Sequence, residues 1–233
     1  MNEKPLIRAI IFDLDGTLLD TLPDIASAMN KALAEMKYPQ HPLEDFKGFV
    51  GYGQTELVTR ALPRLYRTPQ DIKTLSQKFW DYYDLEWSIN TKPYPGVLYL
   101  IQLAVARKIK LAILSNKAHY FTKKMIRHFF RGAMIRHSKN PFSVYSGEQS
   151  GKPTKPDPTI ALELAKELKE APANIALVGD MPVDMQTAKN AGMFAIGAAW
   201  GLSSKVALRK ASADIIFDTP VELAAYLETK PLI

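Results

Sequence analysis

The chain has 233 residues, with 30 Lys+Arg against 24 Asp+Glu for a formal net charge of +6, and 47% of its residues are hydrophobic. With a mean hydropathy of -0.12, this is the composition of a globular protein of one large or two small domains. The absence of cysteine excludes a disulfide framework, a thiolate zinc site and a cysteine nucleophile.

No apolar run approaches the roughly 20 residues needed to cross a bilayer. The N-terminus lacks the apolar stretch and cleavage site of a secretory signal. A cytoplasmic location without a membrane partner is therefore expected. The basic excess is densest around Lys123, Lys124, Arg127, His128, Arg131, Arg136, His137 and Lys139. A solvated helix face accounts for it, and long-range attraction of phosphate esters is a further use. Nucleic-acid binding would need a groove and stacking aromatics that the sequence does not announce.

Arg8 to Phe12 reads as a buried strand, and it ends in Asp13-Leu14-Asp15-Gly16-Thr17. Residues two apart in an extended chain share a face, so Asp13 and Asp15 point one way and Leu14 points back into packing. Two buried like charges so close together either give up one charge to a proton or hold a cation. Gly16 permits a sharp turn, and Thr17 adds a hydroxyl and a backbone N–H.

Asp20 to Lys37 has helical periodicity, with Asp20 or Thr21 available to cap it and Pro23 in the first turn. After Pro39 and Pro42 come a segment Leu43 to Val50, the glycine pair Gly51-Tyr52-Gly53, a helix from Gln54 to Leu62, and a long aromatic helix from Pro69 to about Asn90. Residues 18–90 thus contain no strand candidate. They are expected to form a helical insertion over the strand ends.

Strand and helix then alternate. A helix over Val97 to Arg107 feeds a strand Lys110 to Leu114, and a helix Tyr120 to Phe130 precedes a weak strand Phe142 to Tyr145. Later come a helix Pro158 to Leu168, a strand Ile175 to Val178, a helix Val183 to Ala191 and a short strand Phe194 to Gly197. Ser204 to Lys210, Asp214 to Phe217 and Val221 to Leu227 complete the pattern as helix, strand and helix. Arg131 to Lys152 reads as loop, with no partner obvious.

Three further groups follow strand ends. Ser115-Asn116-Lys117 offers a hydroxyl and an amide, for a helix cap or for a phosphoryl oxygen. Lys155-Pro156-Asp157-Pro158 places a lysine before a helix start, where it can neutralise a carboxylate and a transferred phosphoryl group; Lys152-Pro153 competes for that role. Val178-Gly179-Asp180-Met181-Pro182-Val183-Asp184 delivers two acids, either as a capped strand-to-helix turn or as oxygen ligands for Mg²⁺.

Asp13-Leu14-Asp15-Gly16-Thr17 resembles the nucleophile motif of the haloacid dehalogenase-like superfamily. Ser115-Asn116, Lys155-Pro-x-Pro and Gly179-Asp180 resemble its second, third and fourth motifs, in order and across nearly the whole chain. Met181 departs from the small hydroxyl residue common in the fourth. The resemblance implies a doubly wound parallel α/β sheet, residues 1–17 and 91–233, with an all-helical cap inserted at 18–90. It also implies a Mg²⁺-dependent phosphatase acting on a small phosphorylated metabolite. Asp13 would be nucleophile and metal ligand, and Asp15 general acid and base with its carbonyl on the metal. Ser115 and Asn116 would bind phosphate beside Gly16 and Thr17, Lys155 would neutralise charge, Asp180 would ligate the metal, and Asp184 would hold a metal-bound water or orient Lys155.

Phe49 to Val58 looks like the cap loop of phosphoglycolate phosphatases, with Gly51, Tyr52 and Gly53 reaching over the site; an ordinary interhelical turn would use the same glycines. The expected substrate is 2-phosphoglycolate. A sugar phosphomutase or pyrophosphatase on the same core, and a non-catalytic binding module, are the alternatives. A dehalogenase is disfavoured, because that chemistry needs neither Mg²⁺ nor Asp15.

Overall fold

The computed structural model describes residues 6–131 and 140–229. The first strand, β1 (Ala9–Phe12), is fully buried, and it lies at the switch point of a six-stranded sheet. The chain adds β4 (Lys110–Ala118) and β5 (Phe142–Glu148) on one side of β1. It then returns to add β6 (Ile175–Gly179), β7 (Phe194–Ala198) and β8 (Ile215–Phe217) on the other, for the order β5-β4-β1-β6-β7-β8. Every pairing in this sheet is parallel, so all the strands end on one edge. That is where an open α/β sheet places its ligand crevice.

The alternation within β1 sorts the two cores. Ile10 and Phe12 pack in one apolar cluster with Leu111, Ile113 and Val178; Ala9 and Ile11 pack in the other with Ala112, Leu114 and Leu177. Both faces must be covered, which is why the strands are apolar throughout instead of alternating. Helices α4 (Val97–Ala106), α5 (His119–Phe129) and α9 (Pro220–Glu228) contribute to the first cluster. Helices α6 (Thr159–Leu168), α7 (Pro182–Asn190) and α8 (Lys205–Lys210) contribute to the second.

Between β1 and α4 the chain forms α1 (Leu22–Glu35), α2 (Gln54–Ala61) and α3 (Pro69–Glu86), with a 3-10 turn at Leu43–Gly48. Phe46, Leu57, Phe79 and Tyr83 from this stretch join the first core cluster, so the helical layer is continuous with one face of the sheet. A small antiparallel ribbon forms its neck, pairing β2 (Leu19–Asp20) with β3 (Lys92–Pro93). The expectation of no strand in 18–90 is therefore corrected. Asp20 belongs to this ribbon and not to the first helix, because Gly16 donates to the Leu19 carbonyl and closes a turn that extends the chain beyond it.

Other boundaries move for tertiary reasons. Pairing with β5 carries β4 through Ala118, past the expected end at Leu114 and across irregular register. Strand β5 likewise runs on to Glu148, so the later part of the expected loop from Arg131 is strand, while 132–139 lie outside the described residues. Thr21 stands at the start of α1 without a side-chain cap bond, because its hydroxyl is used elsewhere. Among the described residues no helix is long and apolar enough to cross a membrane.

Asp24 locks the neck. Buried in the first turn of α1, its carboxylate accepts from the Asn90 and Thr91 backbone N–H groups at 2.8–3.0 Å, from Asn90 Nδ2 at 2.9 Å and from Thr91 Oγ1 at 2.7 Å. These bonds hold the chain leaving α3 against the start of α1. Truncation would strand several donors where water is excluded. Asp24→Ala is expected to lower unfolding free energy by about 2–4 kcal/mol, measured from urea midpoints at constant m. A midpoint within error of the parent would contradict this account.

Candidate active site

Register alone brings the acids together. Phe12 pairs with Ile113 on one side and Val178 on the other, so Asp13 emerges level with Leu114 and Gly179, one residue short of Ser115 and Asp180. The Asp13 backbone N–H continues the ladder to the Val178 carbonyl at 2.9 Å. Asp13, Asp180 and Asp184 each present a carboxylate oxygen within 4.8 Å of the others, and all three are buried.

Lys155 enters this cluster from the loop before α6. Its Nζ lies 2.8 Å from Asp13 Oδ1 and 2.6 Å from Asp184 Oδ1. Asn116 fixes the loop, accepting from the Lys155 backbone N–H at 2.9 Å and donating to its carbonyl at 3.2 Å. Lys152, the competing lysine, pairs instead with exposed Glu163. Asp184 Oδ2 also accepts from the Met181 backbone N–H at 3.0 Å, so both of its oxygens are engaged, one of them by Lys155. Asp180 accepts from Thr17 Oγ1 at 2.7 Å and the Leu202 backbone N–H at 2.9 Å.

Gly16 makes room for Asp180. At φ +85 it is in the left-handed region, and a Cβ there would stand 2.3 Å from Asp180 Oδ2. Met181, at the expected departure from the fourth motif, is buried and packs against Gly51, with Ser203 Oγ 3.0 Å from its sulfur.

One ammonium stands among three carboxylates. Burial pushes the Asp13 carboxyl up to about 7, with Asp184 and Asp15 adding to the rise and Lys155 opposing it. Burial also holds Asp180 well above the usual carboxylate range, with Asp13 and Asp184 adding to it. For Lys155, burial works against the charge, but Asp13 and Asp184 outweigh it and raise its pKa. Asp13 Oδ1 accepts no aligned hydrogen bond despite the ion pair, so a buried oxygen lacks a partner. Hard carboxylate oxygens with negative charge in excess fit a divalent cation.

Asp15 has a separate environment. It accepts from Thr21 Oγ1 at 2.7 Å, and Lys117 Nζ lies 3.2 Å and 3.4 Å from its two oxygens. Lys117 in turn donates to the Tyr83 hydroxyl at 2.8 Å. Burial opposes the Lys117 charge, but Asp15 and Tyr83 outweigh it and push its pKa up to about 12. In the sequence only its adjacency to Ser115-Asn116 marks Lys117. No sequence signal pointed to Tyr83 or to the bond from Thr21.

A cavity of about 50 Å³ opens above these groups, room for a few water molecules. Asp13, Asp15, Ser115, Asn116 and Lys117 form its polar side, and Ile25, Val50, Leu57, Phe79 and Trp80 its apolar side. Gly51 and Gly53 line it as well, with the Gly51 carbonyl accepting from Asn116 Nδ2 at 3.1 Å and its φ at +105. Tyr52 does not line it; its half-exposed ring sits beneath Arg60 at 4.6 Å. The structure thus brings together every expected site residue except Tyr52, with Gly16 and Thr17 supporting Asp180 from behind.

The chain is similar to known proteins along nearly its whole length. A phosphoglycolate phosphatase of Aquifex aeolicus is 29% identical over 222 residues, covering 95% of this chain and 97% of its own. One from Psychrobacter arcticus is 30% identical over 226 residues, covering 94% and 95%. The crystal structure of a candidate phosphoglycolate phosphatase from Lactobacillus delbrueckii subsp. bulgaricus superposes with a TM-score of 0.85 at 31% identity, covering 96% of this chain and 99% of that one. The model of the haloacid dehalogenase-like hydrolases matches residues 10–198, and with the acids, the lysine and the strand order in place, the chain belongs to that family.

Proposed function

We infer that this protein is a Mg²⁺-dependent phosphatase that hydrolyses a small phosphorylated acid, 2-phosphoglycolate, through an aspartyl-phosphate. The observation that carries the reading is the buried cluster at the end of β1, with Asp13 against Lys155 and facing the cavity that Asp15 also lines. Asp13 attacks phosphorus in line and releases the alkoxide, which Asp15 protonates. Asp15 then takes a proton from the water that cleaves the acyl-phosphate, and inorganic phosphate leaves. Ser115 holds a phosphoryl oxygen, Asn116 keeps its two amide donors on the Gly51 and Lys155 carbonyls and so positions the loop, and Lys155 balances the charge that accumulates on the phosphoryl group.

Mg²⁺ would be held by Asp13, Asp180 and the Asp15 backbone carbonyl, where it would neutralise the phosphoryl oxygens. In this reading the helical stretch 18–90 is a cap on a core of residues 1–17 and 91–233. The relatives' names point to a small phosphorylated acid in place of a nucleotide or a hexose.

Phosphate release should be measured on 2-phosphoglycolate, hexose phosphates, nucleotides and pyrophosphate, with Mg²⁺ or with EDTA. Release should be fastest from 2-phosphoglycolate and absent in EDTA. Asp13→Asn should lose at least about 10³-fold in kcat. No release from any ester would refute the phosphatase reading, and preference for another ester would refute the substrate.

The charge cluster gives a second test. Asp13 has its folded-state pKa raised from 3.8 to about 7. Without a cation, its contribution to stability is therefore greatest below about pH 4 and declines as pH rises through 7. A cation that binds the ionised form reverses this loss and competes with protons. Mg²⁺ should raise Tm more at pH 8 than at pH 5, and Asp180→Asn should reduce that rise. A Mg²⁺ shift equal at both pH values would contradict the assignment.

A further inference from the structure

Among the described residues, Lys117 is the one cationic side chain that lines the cavity. Its side chain is 6% exposed, and its ammonium is held by Asp15 and the Tyr83 hydroxyl. An ammonium carries three N–H donors, and one of them can serve both long contacts to the Asp15 oxygens, at 3.2 and 3.4 Å, while a second goes to Tyr83, which leaves the third for a ligand. Away from Lys117 the cavity is lined by apolar residues such as Ile25, Val50, Leu57 and Phe79 and by the neutral donors of Gln54 and Trp80, so no other side chain there carries a charge to match a second negative charge on the substrate.

Position points the same way. In the proposed reaction Asp15 meets the bridging ester oxygen, and Lys117 Nζ lies 3.2–3.4 Å from the Asp15 carboxylate. In a two-carbon phospho acid the carboxyl carbon is two bonds from that oxygen. A leaving group seated at Asp15 therefore brings its carboxylate within reach of Lys117, which comes from β4, and of the Tyr83 hydroxyl, which comes from α3.

We propose that Lys117, supported by Tyr83, is the specificity-determining residue that selects a phosphoester whose leaving group carries a carboxylate. This rests on the phosphatase reading above. Lys155 handles the phosphoryl charge at the cluster, and Lys117 handles the charge on the part of the substrate that differs between esters. A buried, charge-assisted hydrogen bond of this kind rejects a ligand that lacks its partner more strongly than apolar packing does.

The test compares kcat/KM for 2-phosphoglycolate and for ethyl phosphate, which replaces the carboxylate by a methyl group. The full-length protein is assayed with Mg²⁺ as wild type, Lys117→Gln, Lys117→Met and Lys117→Arg. Both esters should slow in the uncharged variants, because Asp15 loses its partner. The ratio of the two values should fall by a further factor of about 10 to 100 in Lys117→Gln and Lys117→Met, and should largely persist in Lys117→Arg. The ratio is independent of the fraction of folded enzyme, so a destabilised variant still reports. A preference retained in both uncharged variants overturns the role of Lys117 alone. A wild type that does not distinguish the two esters overturns the substrate reading, and this inference with it.

Discussion

A single ammonium held between two buried carboxylates is the constraint on which the rest of the structure depends. Lys155 Nζ sits 2.8 Å from Asp13 and 2.6 Å from Asp184, with Asp180 completing the acidic set. Such a cluster does little for stability, since removing charges from water costs several kcal/mol per ion. Its persistence in an interior otherwise filled by Ile, Leu, Val and Ala argues for chemistry rather than packing. The scaffold meets that cost with rigid supports: the parallel ladder fixes Asp13 and Asp180, Asn116 fixes the Lys155 backbone, and the first turn of α7 fixes Asp184.

The helical layer completes what the sheet edge begins. Strand ends supply acids, hydroxyls and a lysine, yet leave them open to water. Residues from α1, α2 and α3 close over them with an apolar roof, and the Gly51 carbonyl reaches down to Asn116. Across the outer seam, Trp80 of α3 stacks on Phe121 of α5 at 4.9 Å, and Lys124 pairs with Asp84 at 2.7 Å. The roof is therefore tied to the sheet at a neck, where Asp24 holds Asn90 and Thr91, and again at this aromatic seam.

The chain from Tyr83 through Lys117 to Asp15 joins roof to floor. Asp15 at the end of β1 is held by a lysine of β4 whose second partner is on helix α3, so the two layers share one hydrogen-bonded chain. A reaction centre divided in this way can keep one phosphoryl chemistry at the sheet edge and vary the leaving group through the roof.

Much of this was legible in the sequence, because the relevant signals are local. An apolar run ending in Asp13-Leu14-Asp15-Gly16 states a strand, a shared face and a turn, and Val178-Gly179-Asp180 repeats the pattern. The order of the motifs, the alternation of strand and helix, and the helical stretch before Tyr94 were likewise readable from periodicity. Contacts between distant residues left no such trace. The two-residue ribbon of the neck exists only because Leu19–Asp20 and Lys92–Pro93 meet across 71 intervening residues. Thr21 looks like a helix cap and instead bonds Asp15, the Tyr52 ring lies beneath Arg60, and Lys117 meets Asp15 and Tyr83 only through the fold. Sequence by itself determined which groups stand at strand ends, since backbone periodicity is set by neighbours along the chain. Only the tertiary structure decided which charge faces which, since that depends on register and on the packing of the helical layer over the sheet.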